Sequence, residues 1–257
     1  MNSFIYRGSE MNTDNTSCTW KTETQCFNCE NRVRLNCRWK ASDLLLFIVS
    51  VMPAMLGCLF GTVLIWVVQG IWWPTVAYIS FFPIILGVAE TRFLCSHCPY
   101  YAQEGRVLHC LANHGLLKIW RYHPEPMNRL EKVLMLILAI FFLIPMPGLI
   151  WGYDIWFFSE NFSQYGQTTW IAVIGLAVIT MFSLLAFAFV MVKHICALCI
   201  NFSCPFNRVN KPLRDAYLER NPVMRKAWEE TGYRLGQITD EKQPSCGAVA
   251  TGVDLSV

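Results

Sequence analysis

Ten of the twelve cysteines in the sequence fall into three clusters, each with one C-x-x-C pair. Two thiols at this spacing, on one tight turn, can bind the same metal ion or cluster. The first cluster has the spacing C-x7-C-x2-C-x7-C and consists of Cys18, Cys26, Cys29 and Cys37. The other two consist of Cys95, Cys98 and Cys110, and of Cys196, Cys199 and Cys204. One pair is weak evidence for metal, but three in one chain predict that all ten cysteines are metal ligands.

The residues beside the cysteines leave the type of metal open. Structural zinc takes four Cys or His ligands, and His114 or His194 would complete a site of three cysteines and one histidine with the second or third cluster. In favour of iron–sulfur, Cys98-Pro99 and Cys204-Pro205 repeat the Cys-Pro pair that ends bacterial ferredoxin motifs. The first cluster supplies four thiolates, which suits either a zinc knuckle or a [4Fe–4S] cluster. We expect [4Fe–4S] clusters, with zinc as the alternative.

The elements that position these cysteines are predicted to be membrane helices. Hydrophobic residues make up 54% of the chain and charged residues only 15%, whereas a soluble domain has about 25% charged residues. Four uncharged segments reach the roughly 20 residues that a spanning helix needs. Their approximate bounds are 44–68, 71–89, 133–151 and 168–192. The sequence therefore predicts an all-α integral membrane protein with four transmembrane helices, and we expect no charged residue deep in any of them.

Lysine and arginine are confined to one side of these predicted helices. Residues 1–40 hold six, residues 92–132 hold six and residues 193–257 hold nine, which accounts for all 21. Because cytoplasmic loops retain positive charge, we predict a multi-pass protein of the cell inner membrane with both termini in the cytoplasm. The cysteine clusters then face a reducing compartment, where metal ligation is more common than disulfide formation.

The two helical hairpins look like tandem copies. Leu64-Ile65-Trp66 and Leu149-Ile150-Trp151 precede the two outer turns, and a basic residue stands three positions before each later C-x-x-C pair. Parallel repeats are related by an axis along the membrane normal, which would bring these two pairs together. The predicted units are a cytoplasmic four-cysteine segment (1–42), a first hairpin with a Cys-rich loop (43–130), a second hairpin with its Cys motif (131–209) and a cytoplasmic amphipathic tail (210–257).

The chain resembles the membrane-integral iron–sulfur subunits of quinol dehydrogenases, of the NapH and NosR type. The resemblance is carried by Cys95, Cys98-Pro99, Cys196, Cys199 and Cys204-Pro205. It covers the helical hairpins and their cytoplasmic ends. That family usually has C-x3-C-P at the helix ends and a separate ferredoxin-like domain, and neither occurs here. The resemblance implies electron transfer through iron–sulfur centres, with quinone as a further cofactor.

From these features we predict a membrane electron-transfer protein that links a soluble cytoplasmic redox protein to the quinone pool, or anchors that partner in the bilayer. Whether the chain is a subunit of an oxidoreductase complex stays open. One alternative is a zinc-stabilised membrane scaffold or assembly factor, and a second is a thiol–quinone oxidoreductase. The formal net charge of +3 is too small to indicate nucleic-acid binding.

Overall fold

The computed structural model describes Cys29, Asn31 and residues 34–236. Within these residues the fold is helical, without strands, and one isolated bridge joins Val107 to Leu117. Four helical segments are long and apolar enough to cross a membrane, namely Ala41–Gln69, Trp73–His97, Arg129–Glu160 and Phe162–Leu198. The prediction of an all-helical fold with four helices long and apolar enough to span a membrane is therefore confirmed for the described residues. Most of the predicted four-cysteine segment and the last part of the predicted tail lie outside the described residues.

The first two spans form around a glycine turn. Helix α1 (Ala41–Gln69) ends at Gly70, whose φ of 74° lies in the left-handed region that glycine adopts without strain. The N–H of Gly70 donates to the carbonyl oxygen of Trp66 at 2.8 Å. Helix α2 (Trp73–Ile84) then begins at Trp73 and has Pro74 in its first turn, where the fixed backbone of proline suits a helix. The break predicted at Gln69-Gly70 thus matches the end of α1.

The third span is broken in the middle by a proline. Helix α3 (Arg129–Leu143) begins with a capping box between Asn128 and Glu131. Ile144 leaves the helical conformation before Pro145, which restricts the residue that precedes it. Helix α4 (Pro145–Glu160) then continues well past the end that the sequence predicted at residue 151. That prediction was wrong because the polar residues after Trp151 belong to a helix that packs into the bundle.

Two glycines let the spans approach closely. Helix α5 (Phe162–Val190), kinked at Gly166, packs against both α1 and α4. A β-carbon at Gly57 of α1 would collide with Thr180 of α5, and one at Gly61 would collide with Ile150 of α4. Small residues four positions apart are typical of close helix contacts in membranes, where packing replaces the hydrophobic driving force.

The second and fourth spans change from α-helix to π-helix shortly before the cysteines. π-Helical turns at Ile85–Glu90 and Met191–Ile195 extend α2 and α5. Short helical turns at Thr91–Phe93 and Cys196–Leu198 follow them. We call the end of the bundle at which these turns lie the cysteine end.

The predicted amphipathic tail packs on the cysteine end. It forms helices α6 (Lys211–Glu219) and α7 (Pro222–Glu230), each with one strongly apolar face. Tyr217, Leu218 and Trp228 from these helices share a buried core with Tyr100 and Leu108 from the loop after the second span. The indole N–H of Trp228 donates to the carbonyl oxygen of Pro124 at 3.1 Å. The tail therefore covers the loop that holds Cys98 and Cys110.

Candidate functional site

A cavity of about 380 Å³ lies at the cysteine end of the bundle. Six cysteines line it, namely Cys95, Cys98, Cys110, Cys196, Cys199 and Cys204. All six carry free thiols. The C-x-x-C pairs that follow the second and fourth spans therefore border one shared space, which we call the six-cysteine cavity.

The six-cysteine cavity extends between the helices, where its walls are apolar. Each span contributes to these walls, with Val51 from the first, Phe82 from the second, Phe142 from the third and Phe187 from the fourth. The thiols thus stand at the end of an apolar space inside the bundle. A non-polar molecule in that space would be in contact with the cysteines without crossing water.

Asn113 donates hydrogen bonds to two of the sulfurs. Its side-chain amide donates to Sγ of Cys95 at 3.3 Å and to Oε1 of Glu90 at 3.0 Å. Its backbone N–H donates to Sγ of Cys110 at 3.3 Å. Such donors favour the thiolate form of a cysteine, and they set the potential of iron–sulfur clusters.

Asn201 links the Cys196/Cys199 pair to the Cys95/Cys98 pair. Its side-chain amide donates to the carbonyl oxygen of Leu94 at 2.9 Å, directly before Cys95. Its backbone N–H donates to Sγ of Cys199 at 3.5 Å. The two cysteine motifs, which are far apart in the sequence, are therefore held together by a direct bond between their loops.

Burial favours the protonated form of these thiols. It raises the pKa of Cys98, Cys110 and Cys199, and neighbouring thiols add to the effect at Cys98. Burial also raises the pKa of Cys204 to about 12. Reactive cysteines have lowered pKa values, whereas a coordinated metal removes the proton outright. The thiols of the six-cysteine cavity therefore lack the lowered pKa values that reactive cysteines have.

The predicted histidine ligands stand apart from the cavity. The ring of His114 stacks on Trp39 with centroids 4.4 Å apart, and His194 is exposed. Among the described residues, no group of three or more His, Cys, Asp or Glu side chains is arranged to hold a metal ion. The donors that line the shared space are all sulfurs, the donor type that iron–sulfur clusters take.

The first cysteine cluster is described only in part. Cys37 is buried in the same core as Cys95 and Cys98. Sγ of Cys29 accepts a hydrogen bond from Nη1 of Arg220 at 3.0 Å. Cys18 and Cys26 lie outside the described residues, so the four-cysteine site stays a prediction.

A network of buried polar side chains connects the Cys95/Cys98 pair to the third span. His97, between the two cysteines, is 4% exposed, and its Nδ1 donates to the carbonyl oxygen of Glu125 at 2.7 Å. Its Nε2 lies 3.3 Å from Oε2 of Glu131, whose Oε1 is 3.3 Å from Nη1 of Arg92. The sequence indicated no partner for His97, because Glu131 is remote in the chain.

A buried acid in the opposite half of the bundle was not predicted from the sequence. Asp154 on α4 is fully buried, and neither of its oxygens has a hydrogen-bond partner among the described residues. The expectation that no charged residue lies deep in a helix did not cover Asp154, because the predicted third helix stopped at residue 151. Asp154 lies three positions after buried Trp151, a spacing that places both on one helix face.

Comparison with known proteins gives no relative for this chain. No protein-family model matches it, and neither does a curated protein or a solved structure. What the chain does is therefore inferred from the six-cysteine cavity and the bundle around it.

Proposed function

We propose that this chain is a membrane electron-transfer protein with a Cys-ligated iron–sulfur centre, of the [4Fe–4S] type, in the six-cysteine cavity. The observation that carries the proposal is the common lining of this cavity by two distant C-x-x-C pairs. A [4Fe–4S] cluster takes four thiolates. In the proposal these come from Cys95, Cys98, Cys196 and Cys199, and Cys110 and Cys204 contribute to the same centre or to a second one.

The iron–sulfur centre supplies one-electron transfer when bound. The protein holds the sulfurs in place and controls their surroundings. Asn113 and Asn201 direct N–H groups at the sulfurs of Cys95, Cys110 and Cys199, which stabilises negative charge there. The covering helices α6 and α7 keep water away from the loop that carries two of the ligands.

The proposal includes a tandem repeat of two similar hairpins. The supporting observation is that a π-helical turn comes shortly before the C-x-x-C pair in both halves, at Ile85–Glu90 and at Met191–Ile195. π-Helical turns are rare and occur frequently at functional sites. A π-helical turn before each C-x-x-C pair is a feature of both halves, although the first turn ends five residues before Cys95 and the second ends directly before Cys196.

The proposed location is the cell inner membrane, with the cysteine end in the cytoplasm. The one-sided distribution of all 21 Lys and Arg residues supports this orientation. A soluble redox protein would then exchange electrons with the centre from the cytoplasm. The apolar walls of the six-cysteine cavity support the quinone pool as the other redox partner, because an isoprenoid quinone is itself apolar.

The proposal is tested by purifying the full chain without oxygen and measuring iron, acid-labile sulfide and zinc per chain, with an absorption spectrum. We expect a brown protein with near-equal iron and sulfide that dithionite bleaches. The Cys98→Ser/Cys199→Ser variant should lose the colour. Cys58→Ala is the matched control, since Cys58 is also buried but lies in α1 outside the cavity lining. A colourless wild-type protein with stoichiometric zinc would contradict the proposal and favour a scaffold.

A further inference from the structure

Asp154 occupies the half of the bundle opposite the cysteines. It stands six residues before the end of α4 at Glu160, or about 9 Å along the helix at the usual rise per residue. Its carboxyl group lies against Gly61 of α1, where a β-carbon would come within 3.2 Å of Oδ2. The glycine therefore leaves the space in which the carboxyl group of Asp154 sits.

No cationic side chain lies in the parts of the spans around Asp154. Residues 41–91 and 133–192 contain no Lys, Arg or His at all. The titratable side chains that the neighbouring helices bring to this half are Cys58, Tyr78 and Tyr165, which are neutral at physiological pH. A buried, ionised carboxylate without a partner is far more costly in an apolar bundle than the neutral acid. The geometry and the composition together therefore favour a carboxyl group that holds a proton.

Polar groups without partners gather in this part of the bundle. The indole nitrogen of Trp151, one turn before Asp154, is buried and has no hydrogen-bond partner in the described part of the chain. The same is true of the indole nitrogen of Trp170, which packs against the cluster that contains Trp151. Buried donors and acceptors of this kind are where proteins hold ordered water.

We propose that Asp154 is a proton-binding site: a neutral carboxylic acid at neutral pH that exchanges its proton with the aqueous phase on the side opposite the cysteines. The ligand is the proton, and the step is the reversible ionisation of one carboxyl group. This site is separate from the six-cysteine cavity and does not depend on what that cavity binds. It gives the protein a protonatable group across the bundle from its cysteines.

Infrared spectroscopy of the full chain in lipid nanodiscs tests the charge of Asp154 directly. The difference spectrum of wild type minus Asp154→Asn at pH 7 should contain the carbonyl band of a protonated carboxyl group, shifted in D2O. Glu160→Gln is the matched control, because exposed Glu160 should lose carboxylate bands instead. Loss of carboxylate bands in the Asp154→Asn difference would overturn the proposal, as would a carbonyl band that D2O leaves unshifted.

A second measurement uses the unmodified chain and so does not depend on the folding of a variant. Dicyclohexylcarbodiimide reacts with neutral carboxylic acids in apolar surroundings, and peptide mass spectrometry locates the adduct. We expect an adduct at Asp154 whose yield falls as the pH rises and does not respond to Na⁺ or K⁺. Protection by Na⁺ at constant pH would show a metal-cation site and overturn the assignment to a proton.

Discussion

The two halves of the bundle treat their polar side chains in opposite ways. At the cysteine end, Asn113 and Asn201 donate to sulfurs, and Glu131 contacts His97 and Arg92. In the other half, the carboxyl group of Asp154 lies against a glycine and has no hydrogen-bond partner among the described residues. The hydrogen bonds at the cysteine end offset part of the cost of negative charge on the sulfurs, whereas no such bond offsets that cost at Asp154.

The sharpest test of this contrast measures a variant of each site in the assays for both sites. Cys98→Ser/Cys199→Ser should lose essentially all iron and sulfide but keep the infrared band of a protonated carboxyl group. Asp154→Asn should lose that band and keep the iron and sulfide of the wild type. Metal analysis and infrared spectra of both proteins check this. If Asp154→Asn also lost its metal while folded, the two halves would not be independent.

Shortening the side chain of Trp228, by which α7 covers the loop that holds Cys98 and Cys110, should weaken only the cysteine end. Trp228 is 4% exposed and bonds to Pro124, so Trp228→Ala should lower the free energy of unfolding by about 3–5 kcal/mol. In the Trp228→Ala variant, the visible absorption of the proposed iron–sulfur centre should also fall faster in air. Denaturant titration and timed spectra measure the two effects. Lys226→Ala on the same helix, at an exposed position, should leave both unchanged.

A larger side chain at Gly57, where α1 contacts α5, should weaken the middle of the bundle. Gly57→Val places methyl groups against Thr180 and should lower the free energy of unfolding by about 1–3 kcal/mol. Gly148→Val is the matched control, because no described atom lies within 4 Å of a β-carbon there. Thermal unfolding in one detergent compares the two variants. Equal stability of both would contradict the close contact between α1 and α5.

The smallest expected effect concerns the carboxylate of Asp215 in helix α6. Burial raises the pKa of Asp215, but bonds from Lys211, Tyr233 and Gly236 outweigh it and hold the pKa below its usual value. The stabilisation is therefore complete above the unfolded-state pKa of about 3.9 and is lost as the pH falls through the lower folded-state value. We expect Asp215→Asn to remove about 1 kcal/mol at pH 7 and to flatten the acid limb of a stability profile. An unchanged acid limb would show that the bonds to Asp215 contribute nothing.

The sequence predicted those features that depend on local pattern. The four apolar segments follow from composition, and the end of α1 follows from Gly70. The C-x-x-C pairs mark the candidate ligands because their spacing alone is informative. All of these are properties of short stretches, and the structure changes only their bounds.

The features that the sequence could not predict depend on contacts between distant segments. The partner of His97 is Glu131, which becomes its neighbour only when α3 packs against the first cysteine loop. The burial of Asp154 depends on the absence of a side chain at Gly61. The position of the tail on the cysteine loop depends on Trp228 reaching Pro124. None of these pairs has a signal in its own stretch of sequence.

The tail contact has a consequence for how the protein is made. Trp228 packs near the end of the described chain, yet it completes the cover of a loop that the ribosome produces much earlier. The loop that holds Cys98 and Cys110 therefore stays uncovered until translation has passed α7 and both hairpins are in the bilayer. If the cavity holds the proposed iron–sulfur centre, its thiols are open to metal delivery during that interval. The timing of synthesis, as well as the fold, thus determines when this site closes.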